Sequence, residues 1–282
     1  MSFYIRDLQS YDEMLQIHRL QREIWGFDDP TWGLYPPMLK TAALNGGVVL
    51  GAFAEKTDEM VGFLFGFIGR DEQGRFKLCS QNMGILKDWR QYGIAEALKW
   101  TQRTRTLAQD LTLVTWTYDP LEGPNARLNL HKLRAISRSY IRDLYGTDFG
   151  TLNAGLPSDR LLVEWWLAGP RVEQRLPTDA SGAEPVFQIE GQGVERRVVD
   201  VKLDSERETL LVETLPDVHP VKTADLVLAL EWRLKLREVF EHYFARGYLA
   251  TDFISAVSDG ERRNQYVLQK SRPKLVAEIG LS

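Results

Sequence analysis

The residues whose spacing most clearly suggests chemistry form a short turn, Arg90-Gln91-Tyr92-Gly93-Ile94-Ala95. It follows the strand-like run Phe76–Ile85 and opens a helical pattern with inward candidates at Ile94, Leu98, Thr101 and Leu107/Ala108. A helix N-terminus leaves about four backbone N–H groups unpaired and carries a partial positive charge. Opened by a glycine after a strand, it is a cradle for phosphate. Gly93 stands where the backbone must approach such a ligand and a side chain would intervene.

The surrounding elements must position this turn. Phe3–Leu8 suits an edge strand, Tyr11–Trp25 an amphipathic helix, and Pro36 and Pro37 the first turn of a helix that Asn45-Gly46-Gly47 stops near Leu44. Val48–Glu55, Met60–Arg70 and Phe76–Ile85 follow as a three-strand meander joined by polar turns. After the cradle and its helix, which runs to about Gln109, Leu111–Tyr118 is rich in β-branched and aromatic residues and reads as a strand that Pro120 ends. A helix over Pro124–Ser137, a strand near Tyr140–Tyr145 and a strand Leu161–Leu167 complete a first domain, residues 1–168. Residues 169–185, with Gly169-Pro170, Pro177, Ser181-Gly182 and Pro185, have the composition of a linker. A C-terminal α+β domain, residues 186–282, then offers strands at Val186–Glu190, Arg197–Leu203 and Glu208–Leu215. A long helix Thr223–Arg246 and a closing pair, Tyr248–Val257 and Asn264–Gln269, follow. An internal echo links TLVTWTYDP and its helix to LLVETLPDV and its helix. It fits either a duplicated half-domain of the same topology or two ordinary strand–helix–hairpin units.

Composition narrows the function. With 282 residues, 44% hydrophobic and 26% charged, the chain has the make-up of a globular protein large enough for two domains. No apolar run reaches the ~20 residues a membrane helix needs, and the N-terminus lacks a signal-peptide pattern, so a cytoplasmic location is expected. The net charge of −4 argues against nucleic acid as the main partner. One cysteine, Cys79, excludes an internal disulfide and reads as a buried strand residue. His18 and His242 sit at helical spacing with no metal-ligand pattern, and no metal is expected. Strand edges in two domains would permit a homodimer.

The order strand, two helices, three-strand meander, helix, strand, helix, two strands, with Arg90-x-x-Gly93-x-Ala95 at the strand-to-helix joint, resembles the GNAT superfamily of acyl-CoA N-acyltransferases. Trp116-Thr117-Tyr118-Asp119-Pro120-Leu121, Asn125–Leu133 and Gly155–Arg160, with Trp232-Arg233 and Arg246-Gly247-Tyr248, are similar to a two-domain bacterial group of that superfamily. Its members are usually described as predicted acetyltransferases, and some act as amino-acid N-succinyltransferases. The resemblance implies an α/β (α+β) fold, a mixed and mostly antiparallel sheet flanked by helices, and acetyl-CoA or succinyl-CoA as co-substrate. It implies that the amides of Arg90, Gln91, Tyr92, Gly93, Ile94 and Ala95 hold the CoA pyrophosphate. Met83, Gly84 and Ile85 would splay from the next strand and bond the pantetheine arm, with Asn125 near that arm. Two departures stand out: Leu130 occupies the place of the family's thiolate-protonating Tyr, and Arg134 that of a Gly.

Acyl transfer from a thioester to an amine needs a neutral amine, a polarised carbonyl and close approach. Asp119, at the mouth of its strand, is the first candidate base, its other reading being a turn or cap residue; Glu23 is the second. His131 and Tyr140 are candidate substitutes for the missing Tyr, the other reading of each being structural. Arg160 is a candidate fork for a carboxylate on the acceptor or on a succinyl group, its other reading being a pair with Asp159 or Asp148. Trp25 and Trp32 flank a loop suited to wall the acceptor. The reading is a CoA-dependent N-acyltransferase acting directly on a small amine, an amino acid in particular. The alternatives are a non-catalytic acyl-CoA sensor or scaffold and a protein or peptide N-acetyltransferase.

Overall fold

The protein is described by a computed structural model covering residues 1–26, 33–146, 155–258 and 260–281. The chain falls into two compact units, Met1–Trp116 and Thr117–Ser282. Compactness thus divides it within a strand, whereas composition points to residues 169–185. That stretch is no solvated tether: Arg171 and Val172 within it are buried.

In the first unit β1 (Phe3–Asp7), β2 (Val48–Ala54), β3 (Met60–Arg70) and β4 (Phe76–Ile85) form an antiparallel meander. β5 (Leu113–Tyr118) then joins β4 in parallel. The strands were legible because β-branched and aromatic residues fill them, and both faces of β2 and the first seven residues of β3 are buried. One face carries α1 (Tyr11–Trp25) and α2 (Pro36–Leu44), whose Met14, Ile17, Leu20 and Leu39 join Phe53, Phe63 and Phe65 in one core cluster. α1 begins with a complete capping box, Ser10 with Glu13, and ends at left-handed Gly26. Side chains alternate across a strand, so Gly62 and Gly66 of β3 face the other way. There a Cβ would lie 3.4 Å from Ile94 and 3.1 Å from Gln102 of α3 (Ile94–Leu107).

The sequence pattern misjudged the inner face of α3. The buried residues are Ile94, Leu98, Lys99, Gln102 and Thr106, while Thr101 and Leu107 are only half-buried. Cys79 is half-buried rather than buried.

The second unit contains the sheet order β7-β6-β12-β13-β11-β8 and a separate β9–β10 pair. The strands are β6 (Ile136–Ile141), β7 (Arg160–Trp166), β8 (Glu184–Pro185), β9 (Phe187–Glu190), β10 (Arg197–Val201), β11 (Thr209–Thr214), β12 (Tyr248–Ser258) and β13 (Glu261–Lys270). All neighbours in the six-strand sheet are antiparallel except β8 and β11. Both units therefore show the mixed, mostly antiparallel sheet with flanking helices that was expected.

Two helix boundaries differ from the sequence reading. The helix expected over Pro124–Ser137 is α4 (Gly123–Ala126) continued by a π-helical turn to Lys132. It stops because Arg134 takes a left-handed φ of 58°, the conformation glycine favours, and its guanidinium bonds Asp252 at 3.1 Å. The strand that follows is accordingly earlier than Tyr140–Tyr145. The helix expected from Thr223 is interrupted at Asp225, whose side chain accepts from the Leu228 N–H; α6 (Val218–Ala224) precedes it and α7 (Leu226–Ala245) follows. The buried stripe of α7 includes Leu228, Trp232, Leu236, Val239, Phe240 and Tyr243. Phe240 lies edge-on to Tyr266 with centroids 5.1 Å apart.

The internal echo extends to pairing. β5 and β11 each pair in parallel with an earlier strand, and each is followed in the chain by helix and then hairpin. Asp119 and Asp217 each accept the N–H two residues on, from Leu121 at 2.8 Å and His219 at 2.9 Å.

The C-terminal helix α8 (Pro273–Ile279) seats on Gly169, next to the short α5 (Pro170–Glu173), where a Cβ would lie 2.1 Å from the Ile279 carbonyl oxygen. Gly169→Ala is expected to cost about 1–3 kcal/mol by forcing α8 away. Gly182→Ala, left-handed at φ 67° but with nothing within 4 Å of its Cβ, should cost about 1 kcal/mol. Urea denaturation midpoints check this order; the reverse order would show that the seat of α8 is not what Gly169 protects.

Candidate functional site

The cradle is built as its residue types require. β4 pairs with β5 only at Leu78↔Val114 and Cys79↔Thr115, then runs on to Ile85 paired with β3 alone. Met83, Gly84 and Ile85 oppose Leu64, Phe63 and Gly62 there, so their other edge lies beyond the β4–β5 ladder. A bulge accompanies the parting: Phe65 faces Asn82 and Gly66 faces Ser80, leaving Gln81 as the extra residue. The sequence reading missed this bulge because no Gly or Pro marks it.

A 3₁₀ turn, Lys87–Tyr92, carries the chain from β4 to α3. Exposed Arg90 reaches back, its Nε donating to the Ile85 carbonyl at 3.2 Å, and the Gln91 amide lies 3.4 Å from the Tyr92 hydroxyl. Gly93 ends the turn and begins α3 with φ 80° and ψ 8°. No side chain caps the helix, and a Cβ built on Gly93 would meet nothing within 4 Å. The glycine thus serves its left-handed backbone, not an internal contact, and the space above it is open. Of the next residues, Ile94 is buried and Ala95 half-buried.

Trp25 belongs to the same neighbourhood. It stands edge-on to Phe63 at 6.0 Å, and a Cβ on Gly84 would lie 3.0 Å from its ring. Glu23, two residues before it on α1, is exposed. Trp32 and Asp148 lie outside the described residues.

Lys99 was not anticipated. It is 2% exposed, donating from Nζ to Ser80 Oγ at 2.8 Å and to Gln102 Oε1 at 3.3 Å, with Nζ 3.6 Å from the Trp116 ring centre. Ser80 and Trp116 are the first residues past the last β4–β5 pair, so the lysine occupies the point where the strands part. A polar residue on a helix face otherwise read from its apolar spacing was the available signal.

The remaining candidates lie in the second unit, in networks that occupy them. Asp119 is buried, paired with Arg233 at 2.6 Å and Arg160 at 3.5 Å, and its other oxygen accepts Leu121 N–H. Two guanidiniums and a backbone N–H thus occupy its oxygens, an arrangement that matches its reading as a turn residue. Arg160 is itself buried, donates to the Asp159 carbonyl at 2.8 Å and lies over Tyr145, so it is no open fork. The Tyr140 hydroxyl donates to Asp159 at 2.7 Å, and burial pushes its pKa up. Asp159, fully buried, also receives Arg237 at 2.8 and 2.9 Å. Burial alone would raise the Asp159 pKa, but Arg237, the Asp143 N–H and Tyr140 bring it below the ordinary value. His131 Nδ1 lies 2.9 Å from Asp252. Asn125 is exposed in α4. Leu130 is fully buried.

No three His, Cys, Asp or Glu side chains among the described residues are grouped to hold a metal ion. No helix among them is long and apolar enough to cross a membrane.

No family model matches the chain, and no curated protein matches it in sequence. Among solved structures it is similar to a putative acetyltransferase of the GNAT family from Desulfovibrio desulfuricans, with 14% identity over 59% of this chain and 100% of that one, TM-score 0.46. A putative acetyltransferase from Acinetobacter baylyi matches with 17% identity over 63% of this chain and 97% of that one, TM-score 0.49. A GNAT-family acetyltransferase from Streptococcus pneumoniae matches with 14% identity over 58% and 98%, TM-score 0.46. At such scores the likenesses do not by themselves place the chain in a family.

Burial lowers the Lys99 pKa well below 10.5, so the unfolded chain binds this proton more readily than the folded one. The resulting cost is full below the lowered folded value, shrinks as pH rises from there toward 10.5, and is gone above it. Lys99→Met removes the charge, while Gln102 Nε2 still bonds Ser80 Oγ at 3.1 Å. The variant is expected to melt about 2–4 °C above the parent at neutral pH, the size of a ~1 kcal/mol change. The difference should close toward pH 10.5; thermal melts across pH giving a constant difference would refute this.

Proposed function

We propose that the chain is an acyl-CoA-dependent N-acyltransferase that passes an acetyl or succinyl group directly to the amine of a small acceptor, an amino acid being the favoured class. One observation carries the reading: β4 and β5 part after two pairs, and the freed end of β4 leads into an uncapped helix opened by left-handed Gly93 under open space. A parted strand offers backbone groups to an amide-bearing arm, and the helix start offers N–H groups and positive potential to phosphates. Acyl-CoA carries both in one molecule.

In this reading residues 1–168 make up the acyl-transfer domain. The amides of Arg90–Ala95 take the pyrophosphate, Met83–Ile85 the pantetheine arm, and Trp25 walls the acyl end. The acceptor nitrogen attacks the thioester carbonyl, the C–S bond breaks, and CoA leaves as the thiolate, which takes a proton from water. Because Asp119, His131 and Tyr140 are tied into networks, the exposed carboxylate of Glu23 is the proposed acceptor of the amine proton, directly or through water.

Release of free thiol from acetyl-CoA and succinyl-CoA across a panel of amino acids tests the proposal. Gly93→Glu, which puts a carboxylate into the phosphate space, should lower turnover at least about a hundredfold, the scale of a lost electrostatic site. Full activity in Gly93→Glu would sink the site assignment. A second reading rests on buried Leu130, which supplies no proton to a leaving thiolate. A non-catalytic acyl-CoA sensor would bind CoA in calorimetry and turn over no acceptor.

A further inference from the structure

The second unit holds a cavity of about 210 Å³ between residues 170–179, the adjoining ends of β11 and β13, and α8. This is smaller than the ~300–1,000 Å³ of sites for drug-sized molecules and suits a ligand of few heavy atoms. Arg171 is among its lining residues and is only 2% exposed. Its Nη2 donates to Thr178 Oγ1 at 2.8 Å and to the Thr251 carbonyl, while its Nε is buried without a partner. Among the described residues no carboxylate lies within ion-pair distance of it; Asp252 and Glu278 act on it only through their longer-range field.

That is an unusual state for a guanidinium. A buried charge without a counter-charge costs several kcal/mol, and buried cations are ordinarily paired. Burial pushes the pKa of Arg171 down to about 10, which leaves it charged at neutral pH. The acids around the cavity are otherwise engaged. Glu208 pairs with Arg272 at 2.8 Å, Glu278 lies 3.9 Å from Lys274, and Asp179 accepts the Ser181 N–H at 2.9 Å. Of the cations lining the cavity, Arg171 is therefore the one among the described residues with no carboxylate at ion-pair distance, since Lys270 lies 3.3 Å from Glu206 and Lys274 is already placed beside Glu278.

We propose that this cavity binds a small anion, a carboxylate or phosphate, whose oxygens are received by Arg171 and the Thr178 hydroxyl. An anionic oxygen supplies the missing counter-charge and an acceptor for the unpaired donor, and arginine is the side chain best shaped for either group. The site does not depend on the acyl-transfer reading and would exist in a protein with no such activity.

Thermal melts and calorimetry of the full chain at fixed ionic strength test it, with succinate, L-glutamate and inorganic phosphate as probes and chloride as control. Because a ligand that binds only the folded state stabilises it, a saturable rise in Tm is expected with a carboxylate or with phosphate, and none with chloride. The responding arm identifies the group. Arg171→Met and Thr178→Ala should each weaken binding at least tenfold. Should Arg171→Met fail to fold, Thr178→Ala together with Lys274→Ala decides. No saturable response in the parent up to millimolar probe, or an unchanged response in Thr178→Ala, overturns the proposal.

Discussion

The first unit depends on a partnership that is deliberately short. Two residue pairs join β4 to β5, and beyond them both strands continue without pairing to one another. Unpaired strand edges are a liability in most proteins, since they invite other chains. Here the bulge at Gln81 turns the strand at the parting, Trp25 packs over Gly84, and the chain passes at once into the Gly93 turn. The parting and the helix start at Gly93 follow one another along a single stretch of chain, and Trp25 packs on it from α1. Lys99 sits where the strands separate, a polar group in a place where apolar packing would be more stable.

Charge organises the second unit differently. Asp119 and Asp159 are surrounded by Arg160, Arg233 and Arg237, with Tyr140 hydrogen-bonded among them. Buried ion pairs of this kind add little net stability over apolar packing, but removing one partner leaves a charge stranded. Such a network fixes the geometry of Asp119, Tyr140, Asp159 and Arg160. The Arg134–Asp252 pair has the same character: it holds a left-handed residue where a glycine would need no holding.

Much of the fold was legible because it is written locally. The meander shows in β-branched and aromatic runs, α1 in its capping box, and the cradle in a glycine between strand and helix. The errors arose where distant partners decide. The surroundings of Asp119 are one case: Arg233, 114 positions away, is placed against it. The Pro124 helix looks longer until Asp252, 118 positions from Arg134, draws the chain into a turn. The inner face of α3 was misread because Lys99 and Gln102 satisfy each other and Ser80, so polar residues occupy core positions that periodicity reserves for apolar ones. Ion pairs and buried hydrogen bonds leave no period in a sequence.

The sheet of the second unit also has a seam. Hairpin β12–β13 is zipped by ten pairs from Tyr248↔Lys270 to Ser258↔Glu261, yet β12 meets β6 through one pair, Ala250↔Ser137. Side chains rather than backbone bonds close this joint, with Ile136, Leu249, Leu275 and Ile279 in one cluster across it. Hydrophobic contact is non-directional, whereas a ladder fixes register. Register along this line is therefore set by one ladder pair, the Arg134–Asp252 ion pair and apolar packing, where the neighbouring hairpin uses a full ladder.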